Sequence, residues 1–314
     1  YGFVAGGHRY FPEDLIYQNI ESVDRKGGWY NTKLRRNDVA VETDEYLTDE
    51  LSNEAVDFIS RNQADPFFLL VAYNGLHTPM QASGKYLERF AHIDDKLRRT
   101  YAAMVSAVDD GVGRILDELD QQGLAKNTLV VFFSDNGGAR NNGSINTPLR
   151  DNKGSLYEGG MHVPFAMRWT GRIPAGLDYQ PAVSSLDVLG TMAGITGVEI
   201  AEERPLDGVN LIPYLTGEKS GAPHEYLFWE MIRSGDAAVR HGDDKLKVAY
   251  ETDTTELFDL GKDLAETQNR AESDEAKTKR LRRELENWTK QLKPAQFKGL
   301  GSWDPAKNPA KPRK

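Results

Sequence analysis

The stretch VVFFSDNGG, residues 130–138, decides how the chain is expected to fold. Its first four residues are all apolar, so both faces of a strand formed by them would be apolar. This pattern is typical of a strand buried in a parallel sheet. Ser134, Asp135 and Asn136 follow where that strand would end, and two glycines let the chain turn away. Ligands of open α/β sheets bind beyond the carboxyl ends of strands, which makes Asp135 and Asn136 candidate site residues. Asp-Asn-Gly is also a common turn sequence, so a plain turn stays open as the alternative.

Helices and strands alternate on both sides of this stretch. Apolar residues at helical spacing predict helices over 48–63 and 94–122, and the apolar run at 67–73 predicts a strand between them. Further along, VPFAMRW at 163–169 predicts a strand and SSLDVLGTMAG at 184–194 a short helix. This order predicts an α/β fold with a mixed, mostly parallel sheet sandwiched by helices.

The pattern of apolar segments changes in the last third of the sequence. Short segments separated by turn residues, from EYLFWEM to TTELFDL, predict a small antiparallel sheet, and an apolar helix face near 273–292 is expected to pack on it. The predicted parts are a main α/β domain, a C-terminal subdomain and an exposed tail, at 1–220, 221–293 and 294–314.

Composition excludes several classes of protein. The 314 residues are 39% hydrophobic and 28% charged, as in ordinary globular proteins, and the net charge of -9 argues against a nucleic-acid partner. The chain has no cysteine, which excludes disulfides, thiolate metal sites and a cysteine nucleophile among these residues. No apolar stretch has the length of a membrane span. The opening YGFVAGGHRYFP has no signal-peptide pattern and is expected to be internal to a longer protein.

Three kinds of polar group are expected to meet at one edge of the sheet. His77 follows the first predicted strand, and Asp135 and Asn136 follow the second. Lys153 lies in the polar, glycine-rich loop after them. Carboxylate and carboxamide oxygens favour calcium or magnesium over zinc, a lysine can neutralise an anion, and a histidine can donate a proton near neutral pH. Together the groups predict a site for a tetrahedral oxyanion ester, although each alone could be solvated or structural.

Longer motifs resemble those of the type I sulfatases of the alkaline-phosphatase-like superfamily. They are VVFFSDNGG with the following NTPLRDNKGSLYEGGMHVPFAMRWTGRIPAG, the upstream YNGLHTPM, and the downstream RPLDGVNLIPYLTGE and ELFDLGKDLAETQN. The resemblance implies hydrolysis of a sulfate ester, on a sulfated carbohydrate or an aryl sulfate, and makes residues 1–220 the later part of a catalytic domain. It also implies a periplasmic, extracellular or lysosome-like location.

The resemblance assigns roles residue by residue. Asp135 and Asn136 match the pair that binds a divalent cation, usually calcium, which also holds a sulfate oxygen. Lys153 matches the lysine that contacts the sulfate and the bridging oxygen. His77 matches the histidine that contacts the sulfate and helps to protonate the departing alcohol. Arg150 is a candidate for binding an anionic or hydroxylated part of the substrate, with a solvated or loop-bracing role as the alternative.

Parts of the family's machinery are missing from these residues. The family's nucleophile is a formylglycine made from the Cys or Ser of a C/S-x-P-x-R motif; the nearest match, NTPLR at 146–150, begins with asparagine. The family's N-terminal Asp-Asp pair is absent too, so Asp135 and Asn136 would supply at most about three of the six to eight oxygens that calcium takes. We therefore expect the 314 residues alone not to turn over. His162 stands where the family usually has arginine.

Two alternatives stay open at this stage. One is another hydrolase of the superfamily, a phosphodiesterase or phosphonate hydrolase. The other is a non-catalytic sulfatase remnant that binds sulfated sugars or nothing. Without the family's first strands, part of the sheet is expected to be uncovered, which is a liability for aggregation or pairing.

Overall fold

The computed structural model describes residues 1–3, 8–11, 34–231 and 234–293. Its contacts divide the chain into two compact units. The first unit consists of Tyr1–Val130, Ala139–Ile145 and Trp169–Gly171, and the second of Val131–Gly138, Asn146–Arg168 and Arg172–Lys314. The predicted boundary at residue 220 stays a prediction, and the predicted tail lies outside the described residues from 294 onward.

Two long helices form the frame of the first unit. α1 (Leu47–Asn62) and α3 (Lys96–Gln121) confirm the helices that were predicted over 48–63 and 94–122. Asp95 caps the N-terminus of α3, where its side chain accepts a hydrogen bond from the Arg98 amide at 2.6 Å. The helices pack so closely that a Cβ on Gly111 of α3 would overlap the Ser52 hydroxyl of α1. The other elements are β1 (Leu34–Arg36) and β2 (Val39–Val41), which pair antiparallel, α2 (Gly84–Leu87), and the 3₁₀ turns Glu88–Phe90 and Ala125–Asn127.

Residues 67–73 do not form the strand that the sequence predicts. Within the described part of the chain this segment pairs with no other strand. Phe68 is 67% exposed and Leu70 is 73% exposed, so one face of the segment is uncovered apolar surface. The prediction was wrong because a strand is defined by its hydrogen-bonded neighbour, and an apolar run contains no information about that neighbour.

The second unit contains two sheets. β3 (Val130–Phe133, with only its first residue assigned to the first unit) pairs with β4 (Phe165–Arg168). Ser134 N donates to the Pro164 carbonyl at 3.2 Å just beyond this pair. The second sheet is antiparallel in the order β5 (Leu227–Met231), β6 (Asp236–His241), β7 (Asp244–Ala249) and β8 (Thr254–Asp259). The helices of this unit are α4 (Glu158–Met161), α5 (Asp187–Thr196), α6 (Ile212–Leu215) and α7 (Glu275–Thr289).

α7 packs on the four-stranded sheet, as predicted. Leu281 and Leu285 are fully buried in one cluster with strand residues such as Val248. The Trp288 ring stacks on Phe228 of β5, with 5.2 Å between ring centroids. The mixed α/β class with a small C-terminal antiparallel sheet and helix is thereby confirmed. None of the described helices combines the length and the hydropathy needed to cross a membrane.

Candidate active site

Asp135 and Asn136 lie in residues 134–138, the turn after β3, which we call the metal turn after the role predicted for these two residues. Gly137 N donates to the Gly160 carbonyl at 3.0 Å, and a Cβ on Gly137 would overlap the Gly159 carbonyl, so the approach requires glycine. Among the described residues, the side chains of Asp135 and Asn136 make no hydrogen bond or ion pair.

Lys153 lies in residues 146–160, which we call the lysine loop. Lys153 N donates to the Gly138 carbonyl at 3.0 Å. Asn146 holds the same glycine: its Oδ1 accepts from Gly138 N and its Nδ2 donates to Gly138 O, both at 3.0 Å. Nδ2 also donates to Asp151 O at 3.0 Å. The asparagine at the first position of NTPLR is thus a structural residue, and Gly138 joins the metal turn to the lysine loop.

Arg150 braces the lysine loop. Its guanidinium donates to the Glu266 carbonyl at 2.9 Å and to the Glu256 carboxylate at 3.3 Å. The guanidinium carbon also lies 3.9 Å from the centre of the Tyr157 ring. These contacts favour the loop-bracing alternative, and a contact between Arg150 and substrate stays a prediction.

A buried carboxylate, Glu158, closes the lysine loop. His162 Nδ1 lies 2.9 Å from Glu158 Oε2, so this histidine faces the loop's own acid. Lys245 Nζ lies 2.7 Å from the other oxygen, Oε1. Burial alone would raise the pKa of Glu158, but the hydrogen bonds and charges of His162, Lys245 and Arg240 outweigh it and lower the pKa from 4.5 to about 2.

We expect Glu158 to make the fold sensitive to acid. Because its folded pKa is depressed, its contribution to stability is complete above about pH 4.5 and is lost as the pH falls toward about 2, which amounts to about 3 kcal/mol. Urea unfolding at pH 7, 5 and 3 measures the part of this loss that falls above pH 3, about 2 kcal/mol. Glu158→Gln is expected to flatten the dependence, whereas the exposed Glu203→Gln retains it. Burial raises the pKa of Glu266, which acts in the opposite direction, so the contribution of Glu158 is the difference between wild type and Glu158→Gln. Equal slopes for the two proteins would contradict the assignment.

His77 belongs to the first unit, where its backbone and ring are both held. Tyr10 Oη donates to the His77 carbonyl at 2.9 Å, and His77 N donates to the Asn74 carbonyl at 3.0 Å. The ring Nδ1 lies 2.7 Å from the Thr78 carbonyl, which can only accept, so Nδ1 carries the hydrogen. Nε2 is therefore the atom that can exchange a proton with a ligand.

The residue before His77 has a strained backbone. Leu76 has a φ of +72°, in the left-handed region that costs a leucine about 1–2 kcal/mol. The buried Asn142 donates from Nδ2 to the Leu76 carbonyl at 2.9 Å, which helps to hold this conformation. Asn142 was not singled out from the sequence, and Asn146 was noted only as the first residue of NTPLR, because a polar loop gives no sign of which asparagine has a structural role.

The structure thus brings three of the predicted site residues together within the second unit: Asp135, Asn136 and Lys153. His77 lies in the first unit, and its place beside them stays a prediction. Among the described residues no group of three or more His, Cys, Asp or Glu side chains could hold a metal ion. Asp135 and Asn136 fit calcium or magnesium by the chemistry of their oxygens, but they supply only part of a coordination shell.

The fold and this arrangement at the end of β3 define the class as an alkaline-phosphatase-like α/β protein. The chain belongs to the sulfatase family: the family described as Sulfatase matches residues 5–198. The family described as N-sulphoglucosamine sulphohydrolase, C-terminal, matches residues 151–294. The resemblance carried by the sequence motifs is therefore confirmed.

Curated relatives are longer than this chain. The uncharacterized sulfatase YdeN of Escherichia coli strain K12 is 32% identical over 73% of the chain and 38% of the relative. Steryl-sulfatase of Rattus norvegicus is 36% identical over 58% of the chain and 32% of the relative. N-acetylgalactosamine-6-sulfatase of Mus musculus is 34% identical over 71% of the chain and 42% of the relative. The chain thus spans between 32% and 42% of the length of these relatives.

Solved structures have the same fold. Ps i-CgsB in complex with k-i-k-neocarrahexaose is 35% identical and superposes with a TM-score of 0.84 over 95% of this chain and 68% of that one. The PsFucS1 sulfatase from Pseudoalteromonas sp. is 21% identical, with a TM-score of 0.65 over 82% of this chain and 57% of that one. At that identity the second likeness describes the fold alone.

Proposed function

We propose that the whole protein is a sulfuric ester hydrolase that acts on a sulfated carbohydrate or an aryl sulfate. The observation that supports this most is the shared use of Gly138, which joins the metal turn to Lys153. The sulfatase family is one in which this combination of oxygen ligands and lysine serves sulfate esters.

The residues of the second unit would bind and polarise the sulfate group. Asp135 and Asn136 would hold a divalent cation, most simply calcium, which when bound supplies positive charge to the sulfate oxygens. Lys153 would place its ammonium against a sulfate oxygen and the bridging oxygen, where negative charge grows as the ester bond breaks. The nucleophile expected for the family is a formylglycine, whose precursor residue is not among these 314 residues.

His77 would serve the departing alcohol. When the sulfur–oxygen bond breaks, its electron pair stays on the alcohol oxygen, which needs a proton. In the protonated ring, Nδ1–H remains bonded to the Thr78 carbonyl, so Nε2–H is the proton that can be transferred. The backbone contacts of His77 with Tyr10 and Asn74 would hold the ring for that transfer.

A sulfated carbohydrate is the preferred substrate class. The solved structure in complex with k-i-k-neocarrahexaose is 35% identical to this chain and superposes on 95% of it. The likeness therefore extends through the C-terminal subdomain for the carbohydrate-bound neighbour. A location outside the cytoplasm, in the periplasm, the medium or a lysosome-like compartment, stays an expectation of the family.

Paired esters of one alcohol test the function. The full gene product, with calcium or with EDTA, is assayed on 4-nitrophenyl sulfate, bis(4-nitrophenyl) phosphate and a 4-nitrophenyl phosphonate. We expect the sulfate to be hydrolysed at least about 100-fold faster by kcat/KM, with activity lost in EDTA. Faster phosphodiester or phosphonate hydrolysis supports the first alternative, and no turnover with tight binding of sulfated oligosaccharide supports the remnant. The 314 residues alone are expected to show no turnover on any ester.

A further inference from the structure

A buried charge cluster in the C-terminal sheet holds the far end of the lysine loop. Glu158 is 3% exposed, and Lys245 of β7 and Glu266 are both 0% exposed. Lys245 Nζ lies 2.7 Å from Glu158 Oε1 and 2.8 Å from Glu266 Oε1. Glu266 Oε2 accepts a hydrogen bond from the Glu158 backbone amide at 2.7 Å. We call Glu158, Lys245 and Glu266 the Lys245 clamp.

Backbone hydrogen bonds connect the clamp to the metal turn. Immediately after Glu158, Gly159 N donates to the Arg150 carbonyl at 2.8 Å and closes the lysine loop on itself. The next residue, Gly160, accepts from Gly137 N of the metal turn at 3.0 Å. A Cβ on Gly159 would overlap the carbonyl oxygens of Arg150 and Asp151, so the segments touch without spare space. A displacement of Glu158 is therefore passed on to both segments of the site.

Lys245 is the cation that two buried carboxylates share. Without it, no ammonium would lie between the side chains of Glu158 and Glu266, two residues that the hydrogen bond from the Glu158 backbone amide joins. An unpaired buried carboxylate is strongly unfavourable. Glu158 would retain His162 at 2.9 Å and Arg240 at 3.8 Å. Glu266 has no such substitute cation in the contacts that the described residues form with its side chain. The loop would relieve the repulsion by moving Glu158 toward water.

We propose that Lys245 is a positioning residue, which holds the lysine loop against β7 so that Lys153 and the metal turn keep the spacing that one sulfate ester requires. This rests on the sulfatase function proposed above. Lys245 is fully buried between the two glutamates and is not expected to touch substrate. It acts on the reaction only through the loop.

Three variants of the full gene product test this role. Lys245→Met removes the ammonium, and Lys245→Met/Glu266→Gln also removes one carboxylate charge, while the carboxamide oxygen so introduced can still accept the Glu158 amide. The control is Lys262→Met, because Lys262 also forms an ion pair at 2.8 Å in the second unit, but with Asp259 and at 84% exposure. Hydrogen–deuterium exchange of peptides from 146–160 and steady-state kinetics on 4-nitrophenyl sulfate are measured for each.

We expect Lys245→Met to raise amide exchange in the lysine loop about tenfold or more. We also expect kcat to fall about tenfold to 100-fold while KM changes less than about threefold, because misplacing Lys153 weakens an interaction made mainly in the transition state. The double variant is expected to recover most of the protection and most of kcat. Lys262→Met is expected to match wild type in both measurements.

Unchanged exchange over 146–160 in Lys245→Met would overturn the proposal, even if activity fell. If Lys245→Met loses protection from exchange equally in the lysine loop and in α3, the variant is unfolded, and the double variant then decides. A double variant that recovers protection of the loop without recovering kcat overturns the proposal. If wild type hydrolyses no sulfate ester, the proposed function fails. The exchange data alone then decide whether Lys245 holds the loop.

Discussion

Lys153→Ala is expected to lower kcat/KM for sulfate ester hydrolysis by the full gene product about 1000-fold. Removing one preorganised donor aimed at developing charge typically costs about 100-fold to 1000-fold, and Lys153 carries a full positive charge. The substitution should leave the fold intact, because the Lys153 side chain is exposed and only its backbone amide holds the Gly138 carbonyl. Steady-state kinetics on 4-nitrophenyl sulfate and urea unfolding provide the two measurements.

The control for this prediction is Lys219→Ala. Lys219 is also an exposed lysine of the second unit, and its ammonium lies 5.7 Å from the Tyr214 ring. We expect this variant to retain wild-type kcat/KM. If Lys153→Ala retained activity within about threefold of wild type, Lys153 would be a solvated loop residue, and the assignment carried over from the family would be wrong.

Asp135→Asn is expected to abolish calcium binding at the site. A ligand that binds only the folded state at 100 times its dissociation constant stabilises that state by about 2.7 kcal/mol, and the variant should lose this calcium-dependent rise in unfolding free energy. The substitution preserves the shape of the side chain and removes one negative charge, which a hard cation depends on. Calorimetric titration and thermal unfolding with and without calcium measure the loss, with no reliance on turnover.

Asp178→Asn is the matched control, since Asp178 is an exposed acid of the same unit that lies outside the metal turn. It should retain the calcium-dependent shift in full.

We also expect Asp135→Asn to lower kcat/KM about 1000-fold, because a bound cation contributes several kcal/mol of charge stabilisation. A variant that still showed the calcium shift would place the cation elsewhere in the protein.

Much of the fold could be predicted because it depends on residues close together in the chain. α1 and α3 begin and end within two residues of the predicted helices, since apolar spacing of three and four residues defines a helix face locally. The segment 67–73 shows the opposite case. Its apolar run was interpreted as a strand, yet it pairs with no other strand among the described residues and Phe68 and Leu70 are exposed, because pairing and cover come from distant residues.

The candidate site also combines features that depend on residues close in the chain with features that depend on distant ones. Asp135, Asn136 and Lys153 lie within one strand-turn-loop segment, and hydrogen bonds between near neighbours of that segment suffice to bring them together. The role of Arg150 was open in the sequence, because an arginine in a polar loop has no partner that the sequence identifies. Its contacts with Glu256 and with the Glu266 carbonyl join residues 106 and 116 positions apart.

By itself, the sequence determined the family and the mixed α/β class, and it predicted which residues would bind a cation and a sulfate group. Those properties follow from residue chemistry at short spacing, where few conformations are available to the chain. Only the tertiary structure showed that Lys245 and Glu266, which lie 87 and 108 positions beyond Glu158, contact Glu158 at the end of the lysine loop. From the sequence alone, a lysine in a strand that follows polar residues would ordinarily be predicted to be exposed to solvent. Its burial is stable only because folding brings two carboxylates next to it, and no local sequence pattern predicts that contact.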